Sequence, residues 1–166
     1  MTGCRTECRT ECHSLAHNEP AVQEVKVYRH HCQQPQQLYR ELRAQGVRAV
    51  RFIPQLRAED ANAWGNFLCA IFHIWAREDI GRITITLFEE TLRIWCGEPL
   101  REQRQLAANS ACFVCAWRRL CAGDDDPLCE GYRQFYVASA PCMRVMRDLR
   151  KQQRSPGELM PLLRAI

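Results

Sequence analysis

The sequence of 166 residues lacks any long hydrophobic run. No stretch reaches the roughly eighteen uncharged apolar residues that a membrane-spanning helix needs. The N-terminal sequence MTGCRTEC has no apolar centre of the kind that signal peptides contain. We therefore expect a cytoplasmic protein with no membrane segment. In a reducing compartment its cysteines are expected to be thiols or metal ligands rather than disulfides.

Common catalytic motifs and a strong charge bias are also missing. The sequence contains no GxGxxG, P-loop, HExxH or GxSxG motif. The net charge is only +4, which does not favour a dedicated nucleic-acid-binding protein. One local basic excess, at 144–154, fits a solvated helix face, with a patch for phosphate or an acidic partner as the alternative. Its basic residues are Arg144, Arg147, Arg150, Lys151 and Arg154.

Cysteine, in contrast, is abundant, and four of the 11 cysteines lie between positions 112 and 129. Cys112 and Cys115 form a CxxC pair, and Cys121 and Cys129 follow. A CxxC turn brings two thiolates to one metal centre, and the later cysteines can complete a four-sulfur site. Such ligation suits zinc or an iron–sulfur cluster, and the spacing does not choose between them.

A second group of cysteines lies in the polar N-terminal segment. Cys4, Cys8 and Cys12 are four residues apart in the tandem repeat CRTECRTEC. They would share one face of a helix, and a loop could wrap them around a metal. A disordered arm is the favoured alternative, because Leu15 is nearly the only residue that could anchor this segment in a core.

The middle of the chain alternates strand and helix patterns. Strands are predicted at 22–28, 47–53 and 82–88, and helices at 35–45, 59–78 and 89–96. This order predicts an α/β fold with a partial parallel (β/α) unit, and a small, mostly helical, cysteine-rich lobe follows it. The predicted division is an N-terminal arm at 1–20, the β/α part at 21–99 and the cysteine-rich helical region at 100–166.

Four segments occur here in the same order as in a known group of proteins. They are QQPQQLYRELRAQGVRAVRFIP (33–54), GNFLCAIFHIWAREDIGR (65–82), CFVCAWRRLCAG (112–123) and LCEGYRQFYVASAPCM (128–143). They resemble the anaerobic sulfatase-maturating enzymes, radical-SAM proteins with a C-terminal SPASM domain. That family oxidises a sulfatase cysteine or serine to formylglycine, using one radical-SAM cluster and two auxiliary [4Fe–4S] clusters.

The resemblance implies a ligand set for one auxiliary cluster. Cys112, Cys115, Cys121 and Cys129 fall on the four ligands of the second auxiliary cluster. Asp125 falls where the family has a cysteine ligand of the first. The remaining ligands of that first cluster, and the catalytic aspartate, belong to a family segment that is missing between residues 97 and 110. The resemblance thus implies a truncated, internally deleted relative that binds one [4Fe–4S] cluster.

The N-terminal cysteines depart from the family pattern. The family places CxxxCxxC after the first barrel strand, whereas Cys4, Cys8 and Cys12 give CxxxCxxxC with no strand before them. About half of the barrel that would bind S-adenosylmethionine has no counterpart. We therefore expect no complete radical-SAM catalysis. If the protein were active, its reaction would be oxidation of a sulfatase cysteine or serine to formylglycine.

Two alternatives remain at this stage. The first is a zinc-binding interaction module, including a transcriptional regulator that uses the basic C-terminal helices, although no helix-turn-helix pattern supports it. The second is a small active radical-SAM enzyme. For the favoured hypothesis of a truncated relative with one cluster, the resemblance implies a sulfatase or another maturation protein as the partner.

Overall fold

The computed structural model describes residues 20–101, 110–121 and 126–166. Its sheet has three parallel strands in the order β1-β2-β3: β1 is Gln23–Val27, β2 is Ala49–Pro54 and β3 is Thr84–Ile85. Val25 pairs with Phe52, and Val50 pairs with Ile85. Parallel neighbours need crossover connections, and helices supply them here. The predicted α/β fold with parallel units is confirmed.

Helices occupy most of the remaining described chain. They are α1 (Arg29–Gln33), α2 (Pro35–Ala44), α3 (Ala61–Glu78), α4 (Thr86–Trp95), α5 (Cys129–Lys151) and α6 (Leu159–Arg164). Four short 3-10 helices are Ala58–Asp60, Ala111–Val114, Arg118–Leu120 and Pro156–Glu158. The C-terminal part is therefore helical and rich in cysteine, as the sequence predicts.

Helix boundaries follow the expected local chemistry. Pro35 stands at the first position of α2, where its missing N–H leaves no donor unsatisfied. Gly46 follows that helix with φ of 72°, a conformation that glycine adopts without strain. Near the C-terminus, the Ser155 side chain accepts a hydrogen bond from the Gly157 backbone N–H and begins the last helical segment.

The third strand is much shorter than predicted. The alternation of Ile83, Ile85 and Leu87 predicts a strand over 82–88, but β3 contains only Thr84 and Ile85, and α4 begins at Thr86. The competing helical pattern prevails because Phe88 and Leu92 are buried on one face of α4.

A single apolar core lies between the sheet and the helices. Val27, Val50 and Ile85 contribute one buried side chain from each strand. The predicted stripe of α3 is buried throughout, with Ala61, Trp64, Leu68, Ile71 and Trp75 each at most 9% exposed. The amphipathic pattern of the C-terminal tail predicts that Leu162 faces inward, but its side chain is exposed.

Helix α5 packs along α3 and joins the cysteine-rich region to the β/α part. Its residues Phe135, Met143 and Met146 are fully buried in the same core that contains Phe72 and Phe88. The rings of Phe88 and Phe135 stack with centroids 5.1 Å apart. This packing fixes the position of the first turn of α5, which carries Cys129. The division at 1–20, 21–99 and 100–166 stays a prediction.

None of the helices within the described residues is long and apolar enough to cross a membrane.

Candidate metal centre

The CxxC pair is shaped by a short capped helical turn. The side chain of Ser110 accepts a hydrogen bond from the backbone N–H of Cys112 at 3.1 Å. The Cys115 N–H then donates to the Cys112 carbonyl oxygen at 3.2 Å. These bonds curl the 3-10 helix Ala111–Val114 so that the two cysteines stand at its beginning and immediately after its end.

Cys121 follows a second 3-10 helix, Arg118–Leu120, whose position is held by α5. The Arg118 N–H donates to the Cys115 carbonyl at 3.2 Å, so this helix continues directly from the CxxC turn. The buried Tyr136 hydroxyl donates to the Leu120 carbonyl at 3.1 Å. Because Leu120 precedes Cys121, that bond ties the third cysteine to α5.

Cys129 is the first residue of α5, and Asp126 organises the turn before it. The Leu128 N–H donates to Asp126 Oδ1 at 2.7 Å, and the Cys129 N–H donates to the Asp126 carbonyl at 2.9 Å. Asp126 therefore acts as a turn residue, as expected. Asp124 and Asp125 lie outside the described residues.

The four predicted cysteines line a single pocket. Its cavity volume is about 20 Å³. Five further residues line it: Trp117, Arg118, Tyr132, Arg133 and Tyr136. The four cysteines are half-buried. Across 20–101, 110–121 and 126–166, no three His, Cys, Asp or Glu side chains are grouped tightly enough to hold one metal ion.

Arg133 supplies the positive charge that contacts this pocket most directly. Its Nη2 donates to Cys115 Sγ at 3.7 Å, and its Nη1 lies 3.5 Å from Glu130 Oε2. Burial raises the pKa of Cys129, while the charge of Arg133 lowers it. A guanidinium at this position stabilises thiolates and any negatively charged centre that they hold.

The position of Arg118 and Arg119 between Cys115 and Cys121 predicts that they offset the negative charge of a thiolate-bound centre. In the structure both guanidinium groups lie over aromatic rings. Arg118 lines the pocket, but its guanidinium lies over the Phe113 ring at 4.8 Å from the centroid. Arg119 stacks on Trp95, also at 4.8 Å. The residue that contacts a cysteine sulfur, Arg133, was not identified from the sequence.

The spacing of four residues along α5 could have indicated which side chains this helix contributes to the site. Cys129, Tyr132, Arg133 and Tyr136 stand at positions i, i+3, i+4 and i+7 of α5, so they share one face. A cysteine that begins a helix, followed by an arginine one turn later, places the guanidinium beside the sulfur.

The other described cysteines lie away from this pocket. The apolar positions of Cys69, Cys96 and Cys142 within helical patterns predict small side chains of the core, and all three pack against the apolar core as half-buried residues. The sequence leaves the role of Cys32 open, and the structure shows that it too packs against the core as a half-buried residue. Cys4, Cys8 and Cys12 lie outside the described residues, so their predicted metal binding stays a prediction.

The donor set fits an iron–sulfur cluster. Four cysteine sulfurs from two 3-10 segments and one helix start border one partly apolar pocket. Four thiolates are the usual ligands of a [4Fe–4S] cluster. An arginine within contact of one sulfur adds a hydrogen-bond donor of the kind that tunes such clusters.

Comparison with known proteins gives two relatives. No protein-family model matches the chain, and no solved structure matches it. A short stretch of 35 residues is 54% identical to the serine-type anaerobic sulfatase-maturating enzyme of Bacteroides thetaiotaomicron. That stretch covers 21% of this chain but only 8% of the enzyme. The predicted resemblance to this group is thus confirmed over a limited segment.

The second relative matches most of the molecule. Over 146 residues the chain is 44% identical to the uncharacterized protein YidF of Escherichia coli K12, and the match covers 79% of this chain and 86% of YidF. Identity at this level over most of both chains implies a shared fold. The chain belongs to the YidF family.

Proposed function

We propose that the protein binds one [4Fe–4S] cluster through Cys112, Cys115, Cys121 and Cys129. The observation that carries the proposal is that these four side chains border a single pocket although they come from three separate turns. Core packing alone does not require cysteine at all four positions. Cys69 and Cys142 are examples of cysteines in this chain that pack against the core without bordering the pocket.

The similarity to a sulfatase-maturating enzyme supports a cluster over a single zinc ion. A tetrahedral zinc with Zn–S distances of about 2.3 Å holds its sulfurs roughly 3.8 Å apart. A [4Fe–4S] core takes one thiolate at each iron, so its four ligands surround it at larger mutual distances.

A structural role follows from what the four cysteines connect. When bound, such a cluster supplies covalent cross-linking and the capacity for one-electron transfer. Cys112, Cys115 and Cys121 belong to a region with little regular structure, whereas Cys129 begins a helix packed on α3. Binding to all four would anchor the 3-10 segments to that helix, and the free energy of binding would stabilise the fold.

We infer that the protein is a cytoplasmic relative of the sulfatase-maturating enzymes that does not itself perform radical chemistry. The short stretch shared with the Bacteroides enzyme supports the relationship. The departure of Cys4, Cys8 and Cys12 from the CxxxCxxC spacing argues against a complete S-adenosylmethionine site. A sulfatase or another maturation protein is the partner that this relationship suggests.

Anaerobic purification followed by spectroscopy and metal analysis tests the proposal. We expect a brown protein with broad absorption near about 400 nm, and iron and sulfide in equal amounts at about four per chain. A colourless protein with stoichiometric zinc would contradict the cluster and leave a zinc-binding interaction module. Formation of 5′-deoxyadenosine after reduction with S-adenosylmethionine would contradict the proposed lack of radical chemistry.

A further inference from the structure

Three arginine side chains surround one tryptophan on the surface of the molecule. The guanidinium carbons of Arg119, Arg144 and Arg147 lie 4.8, 6.0 and 5.8 Å from the centroid of the Trp95 ring. Trp95 ends α4, Arg119 belongs to the 3-10 helix Arg118–Leu120, and the other two project from α5. We call these four residues the Trp95 patch.

The Trp95 patch concentrates positive charge at one place. Like charges gathered around one ring repel one another, and exposed cation–π contacts offset this repulsion only weakly. The buried Trp95 Nε1 has no hydrogen-bond acceptor among the described residues. An anionic group bound at the surface would relieve the repulsion and accept hydrogen bonds from the exposed guanidinium groups.

Neighbouring carboxylates neutralise only part of this charge. Arg147 pairs with Asp148, with 2.8 Å between Nη2 and Oδ1. No carboxylate within the described residues forms an ion pair with Arg119 or Arg144, and both side chains are exposed. Within the described residues, these two guanidinium groups lie over the same ring without a carboxylate partner.

The distribution of charge indicates which kind of partner fits. Farther along α5, Arg150 lies 3.5 Å from Glu89, and Arg154 pairs with Glu158. These two arginines farther along α5 are thus paired with carboxylates, whereas a nucleic-acid strand usually needs an extended line of unpaired basic residues. We propose that the Trp95 patch binds an acidic segment of a partner protein, with Asp or Glu carboxylates accepting from Arg119 and Arg144. The proposal does not depend on the cluster.

Fluorescence anisotropy of the full-length protein tests this assignment. The probe is a short fluorescein-labelled peptide of alternating Asp and Glu, compared with its Asn/Gln counterpart and with an oligothymidylate of similar charge. We expect the acidic peptide to bind at low salt, more tightly than both others. The double variant R119Q/R144Q should weaken binding roughly five- to thirtyfold, because two charge-assisted contacts are lost.

The matched control is R40Q/R82Q, which removes the same charge from exposed arginines elsewhere on the surface. It should change the dissociation constant by less than about twofold, as expected for long-range screening. Equal weakening by both double variants, or no binding by the wild type, would overturn the proposal. Tighter binding of the oligothymidylate would overturn it in favour of a nucleic-acid partner. The single variants R119Q and R144Q give the same comparison if the double variant does not fold.

Discussion

Gly65 of α3 and Gly131 of α5 face each other where the two helices cross. A Cβ atom added to Gly131 would lie 2.9 Å from the Gly65 backbone nitrogen and 2.3 Å from the Ala61 carbonyl oxygen. Only hydrogen at this position allows the two backbones to approach so closely. Cys129 stands two residues before Gly131 in α5. The same contact therefore fixes one edge of the cysteine pocket against α3.

The variant Gly131→Ala should destabilise the protein although it raises the intrinsic helix propensity of α5. Alanine is favoured over glycine by about 1 kcal/mol in a helix interior. The clash is with backbone atoms that cannot rotate away, so we expect a net loss of about 1–3 kcal/mol in the free energy of unfolding. Urea denaturation followed by circular dichroism measures it.

Val137→Ala serves as the control on the same helix, because Val137 is 59% exposed. It should change the free energy of unfolding by less than about 0.5 kcal/mol. A Gly131→Ala protein as stable as the wild type would show that α3 and α5 do not cross as closely as described.

Tyr136→Phe should weaken the attachment of the Cys121 segment to α5. The substitution keeps the buried ring, which packs against Phe135 and Trp117, but removes the donor to the Leu120 carbonyl. A lost hydrogen bond that leaves a buried acceptor costs about 1–3 kcal/mol. The same urea experiment checks this value. Unchanged stability would mean that another donor serves the Leu120 carbonyl.

Tyr39→Phe should cost more than Tyr136→Phe, because its acceptor is charged. The Tyr39 hydroxyl donates to Asp79 Oδ2 at 2.8 Å, and Asp79 is only 3% exposed. Burial and this carboxylate raise the pKa of Tyr39, so its hydroxyl stays protonated as a donor. The remaining partner, Arg43 Nε, lies 3.5 Å away. We expect a loss of about 2–3 kcal/mol. A smaller loss than for Tyr136→Phe would contradict the role assigned to Asp79.

Cys32 should react slowly with alkylating reagents. Burial, together with the charge of Asp60, raises its pKa from 9.0 to about 11. At pH 8 the thiolate fraction is therefore about a hundredfold lower than for an ordinary thiol, and alkylation slows with it. Mass spectrometry of iodoacetamide-treated protein should show the rate rising between pH 9 and 11, and urea should abolish the protection. Rapid alkylation in the folded state at pH 8 would refute the raised pKa.

The same raised pKa has a consequence for stability. Because the folded protein holds the Cys32 proton more tightly than the unfolded chain, this contribution to stability is complete below about pH 9. It is then lost as the pH rises through about 11. The variant Cys32→Ala should lack this part of the decline.

The sequence predicts the fold best where one periodicity dominates. The stripe from Ala61 to Trp75 has no competing pattern, and α3 extends over Ala61–Glu78 against a predicted 59–78. Over residues 83–87 the strand periodicity and the helix periodicity compete. Burial of Phe88 in the tertiary structure favours the helix. The helix α1 escaped prediction because its five residues contain no buried position.

For the site, spacing indicated the cysteines but not their surroundings. CxxC and the two later cysteines suffice to suggest a four-sulfur site, and the structure places all four around one pocket. The contact of Arg133 with Cys115 spans eighteen residues and depends on how α5 packs, so local sequence does not encode it. Charge patterning likewise pointed to the basic stretch 144–154, whereas the convergence of Arg119 and Arg144 on Trp95 required three elements to meet.

The central claim is that four particular cysteines hold one iron–sulfur cluster, and iron content of alanine variants tests it most directly. Each of Cys112→Ala, Cys115→Ala, Cys121→Ala and Cys129→Ala is purified anaerobically beside the controls Cys69→Ala and Cys142→Ala, which lie in the core. Thermal unfolding verifies that each variant is folded. We predict loss of most iron and of the visible absorption in all four, with wild-type content in both controls. Wild-type iron in any one of the four would remove that residue from the ligand set, and wild-type iron in all four would contradict the claim.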